Sequence, residues 1–202
     1  MAPTLQTPRL LLRSLTGSDE ADLIALNSDP EVMRYVGSPA GVKSPAETAE
    51  RARLRIRESE RGDYEPLGFW RIEGRADRAF HGVGGLLRMP AGDHRDSGDA
   101  PGDTPGDTNA DVEVAYRLVR SAWGRGIATE AARALVAYAL GPLALPRVVA
   151  VTYPENRASQ RVLDKLGFER RGLRDYKGVE ATYHVLTPSA WGGAAAAGGS
   201  VH

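Results

Sequence analysis

The chain has 202 residues, 42% of them hydrophobic, which suits one compact α/β domain with a sizeable core. Lysine plus arginine balances aspartate plus glutamate at 26 each, so no net charge draws the protein towards nucleic acid or an anionic membrane. The absence of cysteine excludes disulfides, thiolate metal sites and a cysteine acyl-enzyme intermediate. The N-terminal residues lack a basic patch followed by an apolar run, and we therefore expect a cytoplasmic protein.

The first part of the chain predicts a strand and two helices. Residues 9–15 are a leucine-rich run that favours a strand, and residues 16–19 offer N-cap chemistry for a helix to about residue 27. Residues 44–47 read Ser-Pro-Ala-Glu, which combines a capping serine, a proline at the first helical position and a glutamate three residues after the cap. A second, charged helix should therefore run from this motif towards residue 61.

The middle of the chain predicts antiparallel strands and one mobile loop. Residues 66–73 and 80–89 are apolar runs with aromatic or β-branched residues, which is typical of strands. Residues 91–110 repeat Gly-Asp-x-Pro and contain nothing able to build a core, so we expect a mobile loop that the fold can lose. Its aspartates suggest calcium, but the prolines and the missing glutamate ligand break the known pattern. Residues 111–118 alternate as a strand and place Glu113 on the face opposite the valines.

The last part of the chain predicts alternating helices and strands. Residues 127–140 place apolar side chains on one helical face, and residues 147–152 are a valine-rich strand. Residues 156–166 form a helix pattern that a glycine ends, and two closing strands are expected at 168–174 and 181–186.

The first candidate site is a glycine-rich turn between a strand and a helix. Residues 123–130 read Trp-Gly-Arg-Gly-Ile-Ala-Thr-Glu. Glycine permits positive φ angles and close approach of a ligand, and the unpaired N–H groups of a first helical turn bind phosphate. Arg125 adds a charge-assisted hydrogen bond. The pattern also fits a tight turn that binds nothing, because it is neither a Walker loop nor a complete dinucleotide-binding fingerprint.

The second candidate site follows the valine-rich strand, where residues 153–159 read Tyr-Pro-Glu-Asn-Arg-Ala-Ser. Asn156 should cap the next helix, and Ser159 lies three residues later on the same helical face. An amide and a hydroxyl therefore project together from the end of the sheet. Pure capping without a ligand is the alternative.

Together these motifs resemble the GCN5-related N-acetyltransferases (GNAT), specifically the branch of the ribosomal-protein N-terminal acetyltransferases (RimJ/RimL-like). The resemblance extends from about residue 7 to residue 191, outside the aspartate-rich loop. The segments that carry it are Thr-Pro-Arg-Leu-Leu-Leu-Arg at 7–13, Glu-Val-Ala-Tyr-Arg-Leu at 113–118, the glycine-rich turn continued to Ala131, Asn-Arg-Ala-Ser at 156–159 and Leu-Gly-Phe at 166–168.

The resemblance implies an α/β (α+β) fold in which about four helices flank a mixed, mostly antiparallel sheet of about seven strands. Its strands 4 and 5 splay apart, and the pantetheine of acetyl-coenzyme A (acetyl-CoA) lies in the gap like an extra strand. We assign residues 1–191 to a single acetyltransferase domain that contains the 91–110 loop, and residues 192–202 to a flexible tail.

The resemblance also implies catalytic roles. Glu113 is the candidate base, acting through water, and the backbone N–H groups near residues 116–118 serve the oxyanion. A solvated strand residue is the alternative for Glu113. Other family members place a tyrosine acid seven residues after the asparagine; that position is Leu163 here, which leaves Ser159 or water as the acid.

The cofactor-binding residues implied by the resemblance belong to the strand, the turn and the following helix. Trp123 stands where the family pattern has glutamine or arginine, which leaves binding by backbone amides intact. For Arg161, a solvated helix face is the alternative to a phosphate contact. The residues assigned to the cofactor are Tyr116, Arg117, Leu118, Arg125, Gly126, Ile127, Ala128, Thr129, Asn156 and Arg161.

We therefore expect an enzyme that transfers an acetyl group directly from acetyl-CoA to a primary amine, either a protein N-terminal α-amine or a small molecule. A catalytically silent acyl-CoA-binding module is the alternative, and a nucleotide-phosphate enzyme is disfavoured because residues 129–131 lack the Walker pattern. The four histidines are scattered without metal-ligand spacing, so we expect no metal. The sequence does not define the acceptor or the oligomeric state, and it is compatible with a homodimer.

Overall fold

The computed structural model describes residues 2–36, 44–89, 111–176 and 178–197. These residues form eight β-strands and six α-helices, which confirms the predicted fold class. The strands are β1 (Leu5–Gln6), β2 (Leu10–Ser14), β3 (Gly68–Gly74), β4 (Phe80–Arg88), β5 (Val112–Leu118), β6 (Val148–Thr152), β7 (Glu169–Tyr176) and β8 (Val179–Leu186). The helices are α1 (Glu20–Ser28), α2 (Pro30–Met33), α3 (Pro45–Arg61), α4 (Ile127–Leu140), α5 (Arg157–Leu166) and α6 (Pro188–Ala197).

The contacts divide the chain into two units, and the first comprises Met1–Leu87 and Val114–Leu135. Its strands follow the order β1-β2-β3-β4, and neighbouring strands among these four pair antiparallel. The part of β5 from Val114 onwards also belongs to this unit and lies next to β4. The core of this unit lies where α1 and α3 pack on the sheet, because their apolar side chains are buried together with those of β3 and β4. The buried residues of this core are Leu15, Leu23, Leu26, Val32, Ala52, Ile56, Phe69 and Val83.

Helix α3 begins at the predicted capping motif. The Ser44 hydroxyl accepts a hydrogen bond from the Glu47 N–H over 3.3 Å, and the Glu47 carboxylate accepts one from the Ser44 N–H over 2.8 Å. Two of the helix's unpaired donors are therefore satisfied by one reciprocal pair. Gly62 ends the helix with a φ of 75°, a left-handed conformation that favours glycine.

A buried ion-pair network ties α1 to the sheet in the first unit. The Asp19 carboxylate accepts two hydrogen bonds of 2.8 Å from the Arg13 guanidinium and one of 2.8 Å from the Thr16 N–H. Arg71 lies 3.2 Å from the same carboxylate and 3.0 Å from Glu73. Burial alone would raise the pKa of Asp19, but the Arg13 and Thr16 hydrogen bonds and the positive charges lower it overall.

The second unit comprises Arg88–Glu113 and Val136–His202. Its strand order is β5-β6-β8-β7; β6 and β7 are antiparallel to β8, and β5 runs parallel to β6. Within β5 and β6, the parallel register consists of Glu113 opposite Val149, so the two strands pair over a short stretch. Helix α5 is capped by Asn156 and ends at Gly167, whose φ is 84°, as predicted.

The core of the second unit contains an unusual polar side chain. His184 of β8 is buried, and neither ring nitrogen has a hydrogen-bond partner among the described residues. Burial lowers the pKa of His184, the nearby charge of Asp164 opposes this shift, and that of Arg170 adds to it. Burial therefore favours the neutral form of the imidazole in the folded protein.

The predicted mobile loop at 91–110 lies outside the described residues. The predicted tail begins inside α6, which continues to Ala197, and residues 198–202 again lie outside the described part. None of the described helices is long and apolar enough to span a bilayer. The assignment of residues 1–191 to one domain stays a prediction.

Candidate active site

The glycine-rich turn has the backbone shape of an anion cradle. Gly124 and Gly126 adopt φ angles of 72° and 75°, and the Gly126 carbonyl accepts the first helical hydrogen bond from the Glu130 N–H over 3.1 Å. The N–H groups of the first turn of α4, at Ile127, Ala128 and Thr129, therefore have no acceptor within the helix. The turn has room for a ligand, because a Cβ atom added at Gly124 would meet nothing within 4 Å. These features fit a bound phosphate group.

Trp123 ties this turn to the end of β5. Its indole Nε1 donates a hydrogen bond of 2.9 Å to the Leu118 carbonyl, and its backbone N–H donates one of 3.0 Å to the Arg120 carbonyl. Trp123 remains 47% exposed, whereas Ala122 and Ile127 are buried. The turn is thus anchored at both ends while its polar middle faces solvent.

The three predicted cofactor contacts on β5 divide between its two edges. The Val119 N–H donates to the His81 carbonyl of β4, and a Cβ atom on Gly82 of β4 would lie 2.0 Å from the Arg117 carbonyl. Backbone groups of alternate residues point to opposite edges of a strand, so those of Arg117 point towards β4. The backbone N–H groups of Tyr116 and Leu118 point to the other edge.

The side chain of Arg117 is directed away from solvent. Its Nη1 lies 3.5 Å from the sulfur of Met33 in α2. Burial and, to a smaller extent, the positive charge of Arg55 together lower the pKa of Arg117 to about 10. The guanidinium thus lies inside the first unit, beside α2.

Glu113 lies half-buried at the start of β5, in the second unit. The Tyr176 hydroxyl of β7 donates a hydrogen bond of 3.3 Å to its carboxylate. Two residues earlier, Asp111 accepts a hydrogen bond of 2.7 Å from the Tyr183 hydroxyl and one of 2.5 Å from Arg147. One face of this sheet therefore carries two tyrosine–carboxylate pairs.

The helix α5 motif is folded as a cap. The Asn156 side-chain oxygen accepts a hydrogen bond of 3.1 Å from the Ser159 N–H, and Ser159 itself is half-buried. Leu163, at the position of the family's tyrosine acid, is fully buried in the apolar core. Arg161 is exposed on the same helix.

Two residues near these sites were missed by sequence reasoning. Arg9 reaches the glycine-rich turn from the residue just before β2, and its segment was recognised only as part of the family resemblance. Tyr176 had no signal, since it is one tyrosine in a strand whose pairing the sequence does not define. Among the described residues, no group of three or more histidines, aspartates or glutamates is arranged to hold a metal ion.

Comparison with known proteins identifies the class. Residues 9–169 match the acetyltransferase (GNAT) domain family. The chain is 32% identical over 178 residues to the uncharacterised N-acetyltransferase YoaA of Bacillus subtilis (strain 168), covering 87% of this chain and 89% of that protein. It is 30% identical over 175 residues to the uncharacterised N-acetyltransferase p20 of Bacillus licheniformis, covering 86% and 87%.

Solved structures share the fold. An acetyltransferase from Agrobacterium tumefaciens (strain C58) superposes with a TM-score of 0.71 at 24% identity, over 92% of this chain and 95% of that one. RimL, a ribosomal L7/L12 alpha-N-protein acetyltransferase solved with coenzyme A, superposes with a TM-score of 0.67 at 19% identity, over 93% and 99%. The chain belongs to the GNAT acetyltransferase family and is an N-acetyltransferase, as the sequence predicted.

Proposed function

We propose that the protein transfers the acetyl group of acetyl-CoA directly to a primary amine, either a protein N-terminal α-amine or a small molecule. The observation that carries this proposal is the family match over residues 9–169, which includes the glycine-rich turn, Glu113 and Ser159. Acetyl-CoA supplies an acyl group activated as a thioester. The remaining chemistry is positioning, proton transfer and charge stabilisation by this chain.

The glycine-rich turn is the proposed site for the pyrophosphate of acetyl-CoA. Arg125, Gly126 and the first turn of α4 provide backbone N–H groups and the positive end of a helix dipole. The positive φ of Gly126 brings the backbone close to the ligand without a side chain in between. Asn156 and Arg161 are secondary candidates for contacts with the cofactor. The side-chain oxygen of Asn156 already caps α5.

Two backbone donors on β5 are proposed to stabilise the negative charge that develops on the acyl oxygen. The N–H groups of Tyr116 and Leu118 point away from β4, and such preorganised donors contribute strongly to acyl transfer. Arg117 contributes no donor to that edge, since its backbone is directed towards β4.

Glu113 is the proposed general base. The acceptor must reach the thioester as a neutral amine, and a half-buried carboxylate can take its proton through a water molecule. Ser159 or water then returns a proton to the departing thiolate. The side chain of Leu163 has no proton to donate, which leaves this role to Ser159 or water.

Turnover with a panel of amines tests the proposed function. The purified protein is mixed with acetyl-CoA and with N-terminal peptides, amino acids or polyamines, and released thiol is followed over time. RimL is named as an alpha-N-protein acetyltransferase, which is why N-terminal peptides belong in the panel. Amine-dependent thiol release is expected. Tight binding of acetyl-CoA without turnover of any amine would instead favour the silent binding module.

A further inference from the structure

Arg9 reaches the glycine-rich turn from a distant part of the sequence. Its guanidinium Nη1 donates a hydrogen bond of 3.0 Å to the Arg125 carbonyl, which is 116 residues away in the chain. Its Nη2 lies 3.4 Å from the position that a Cβ atom on Gly126 would occupy. The guanidinium therefore lies beside Gly126, the glycine whose backbone belongs to the proposed phosphate site.

The Glu130 carboxylate holds the Arg9 side chain in this place. One carboxylate oxygen accepts a hydrogen bond of 2.6 Å from Arg9 Nε. The other accepts a hydrogen bond of 2.9 Å from the Arg9 backbone N–H and one of 2.6 Å from the Thr7 hydroxyl. Nε and Nη1 are both engaged, whereas Nη2 makes no hydrogen bond to the residues that the structure describes. A guanidinium fixed on one side and open on the other is preorganised to bind an anion.

The surroundings of Arg9 are electropositive. The Arg75 N–H donates to the Arg9 carbonyl over 2.9 Å, and the Arg75 guanidinium donates to the Thr7 carbonyl over 2.9 Å. Burial lowers the pKa of nearby His81, and the positive charges of Arg125 and Arg9 lower it further, against the opposing charge of Asp77. Arg9, Arg75 and Arg125 thus share one region of the first unit with the carboxylates of Glu130 and Asp77.

We propose that Arg9 is a further cofactor-binding residue whose Nη2 binds the pyrophosphate of acetyl-CoA beside Gly126. This inference rests on the proposed function, because it adds a side chain to the site proposed for that pyrophosphate. Arg9 keeps 53% of its side chain exposed although it is paired with Glu130, so the ligand can reach it. Glu130 orients the guanidinium and partly offsets its positive charge.

Binding of three acetyl thioesters to Arg9→Met tests the contact. Acetyl-CoA has the pyrophosphate and the 3′-phosphate, acetyl-dephospho-CoA has only the pyrophosphate, and S-acetylpantetheine has neither. Loss of one charge-assisted hydrogen bond should weaken the first two by about tenfold or more and leave the third unchanged. The variant should also show a weaker dependence of affinity on salt. A loss confined to acetyl-CoA would overturn the placement, because it would assign Arg9 to the 3′-phosphate.

Two further variants separate binding from support of the turn. Arg53→Met is the matched control, since Arg53 is 54% exposed and paired with Glu20 over 2.8 Å, and it should bind acetyl-CoA normally. Glu130→Gln keeps a side-chain oxygen that can accept the Arg9 hydrogen bonds but removes the charge that opposes phosphate binding, so it should bind acetyl-CoA at least as tightly as the wild type. If Arg9 acts only through its ion pair with Glu130, this variant will lose affinity as Arg9→Met does, and the inference fails.

The same measurements distinguish this inference from the proposed function. If the wild type binds no acetyl-CoA by calorimetry, the proposed function itself is wrong. If the wild type binds and Arg9→Met binds equally well, only the role of Arg9 is wrong. Should Arg9→Met not fold, Arg9→Lys keeps the charge without the planar fork. An intermediate loss of acetyl-CoA affinity is expected for Arg9→Lys, and unchanged affinity would overturn the contact.

Discussion

The Tyr176 hydroxyl donates a hydrogen bond of 3.3 Å to the Glu113 carboxylate. The two residues lie on different strands of the second unit, 63 positions apart in the sequence. A hydroxyl donor of this kind holds a carboxylate in one orientation. Glu113 is therefore positioned by a side chain from a distant part of the sequence, and we expect both residues to matter for turnover.

Glu113→Gln keeps the shape of the side chain and removes the proposed base. Turnover should fall by about 10²- to 10⁴-fold, the usual span for general acid–base catalysis, while the Kd of acetyl-CoA stays near the wild-type value. The acidic limb of the pH–rate profile should disappear. Glu180→Gln, which changes an exposed carboxylate of β8, is the control. Wild-type turnover with an unchanged acidic limb would show that Glu113 is a solvated strand residue.

Tyr176→Phe removes only the hydroxyl that contacts Glu113. Turnover should fall by about 3- to 10-fold, consistent with the loss of one hydrogen bond to a charged group, while the Kd of acetyl-CoA stays near the wild-type value. Tyr183→Phe removes the matching hydroxyl at Asp111 and should lower stability without this loss of turnover. Equal turnover of wild type and Tyr176→Phe would argue against a positioning role.

Gly126→Glu places a charged side chain in the proposed pyrophosphate site. Calorimetry should detect no binding of acetyl-CoA, because the carboxylate opposes the phosphate and fills its space. Gly178→Glu is the control, since Gly178 has a φ of 80° and open space around it, so both variants carry similar backbone strain. Unchanged affinity in a folded Gly126→Glu protein would contradict the location of the cofactor.

Asp19→Ala removes the centre of the buried ion-pair network. The free energy of unfolding should fall by about 3–5 kcal/mol at neutral pH, because Arg13 and Arg71 lose a buried counter-charge. Glu20→Ala breaks the exposed pair with Arg53 and should cost less than about 1 kcal/mol. Urea unfolding of both variants provides the comparison, and losses of similar size would mean that the network is not specially stabilising.

His184 makes stability depend on pH. Its pKa is lowered in the folded state, so below the ordinary histidine pKa of 6.5 the unfolded chain binds the proton more readily. Stability should therefore be full above that pH and decrease as the pH falls below it. His184→Leu should show a smaller loss of unfolding free energy between pH 7.5 and 5.5. The same loss in both proteins would assign the effect to other groups, such as His81.

Local chemistry explains which parts of the fold were predictable. The helix bounds at Ile127–Leu140 and Arg157–Leu166 followed from apolar periodicity, an asparagine cap and a terminal glycine, all of which are read within a few residues. The pairings of Arg9 with Glu130 and of Tyr176 with Glu113 span 121 and 63 residues. Such contacts depend on strand order and register, which side-chain pattern alone does not define.

The candidate site was predictable to a similar extent. The glycine-rich turn and the asparagine cap form as expected, because glycine conformation and capping are properties of short segments. The sequence did not predict to which edge of β5 each backbone N–H group points, since the approach of Arg117 to Gly82 is a property of two paired strands. The roles of Glu113, Ser159 and the cofactor-binding residues stay predictions.

Trp123 also gives the protein a built-in optical probe. The sequence contains three tryptophans; Trp70 is fully buried, Trp191 is half-buried at the start of the second turn of α6, and Trp123 is the most exposed. Its indole donates a hydrogen bond to the Leu118 carbonyl, and Trp123 is the first residue of the glycine-rich turn. A ligand that enters this turn should change the fluorescence of Trp123 while the buried Trp70 emits as before. Titration with acetyl-CoA can therefore follow binding without a label, and Trp123→Phe should abolish the change in fluorescence.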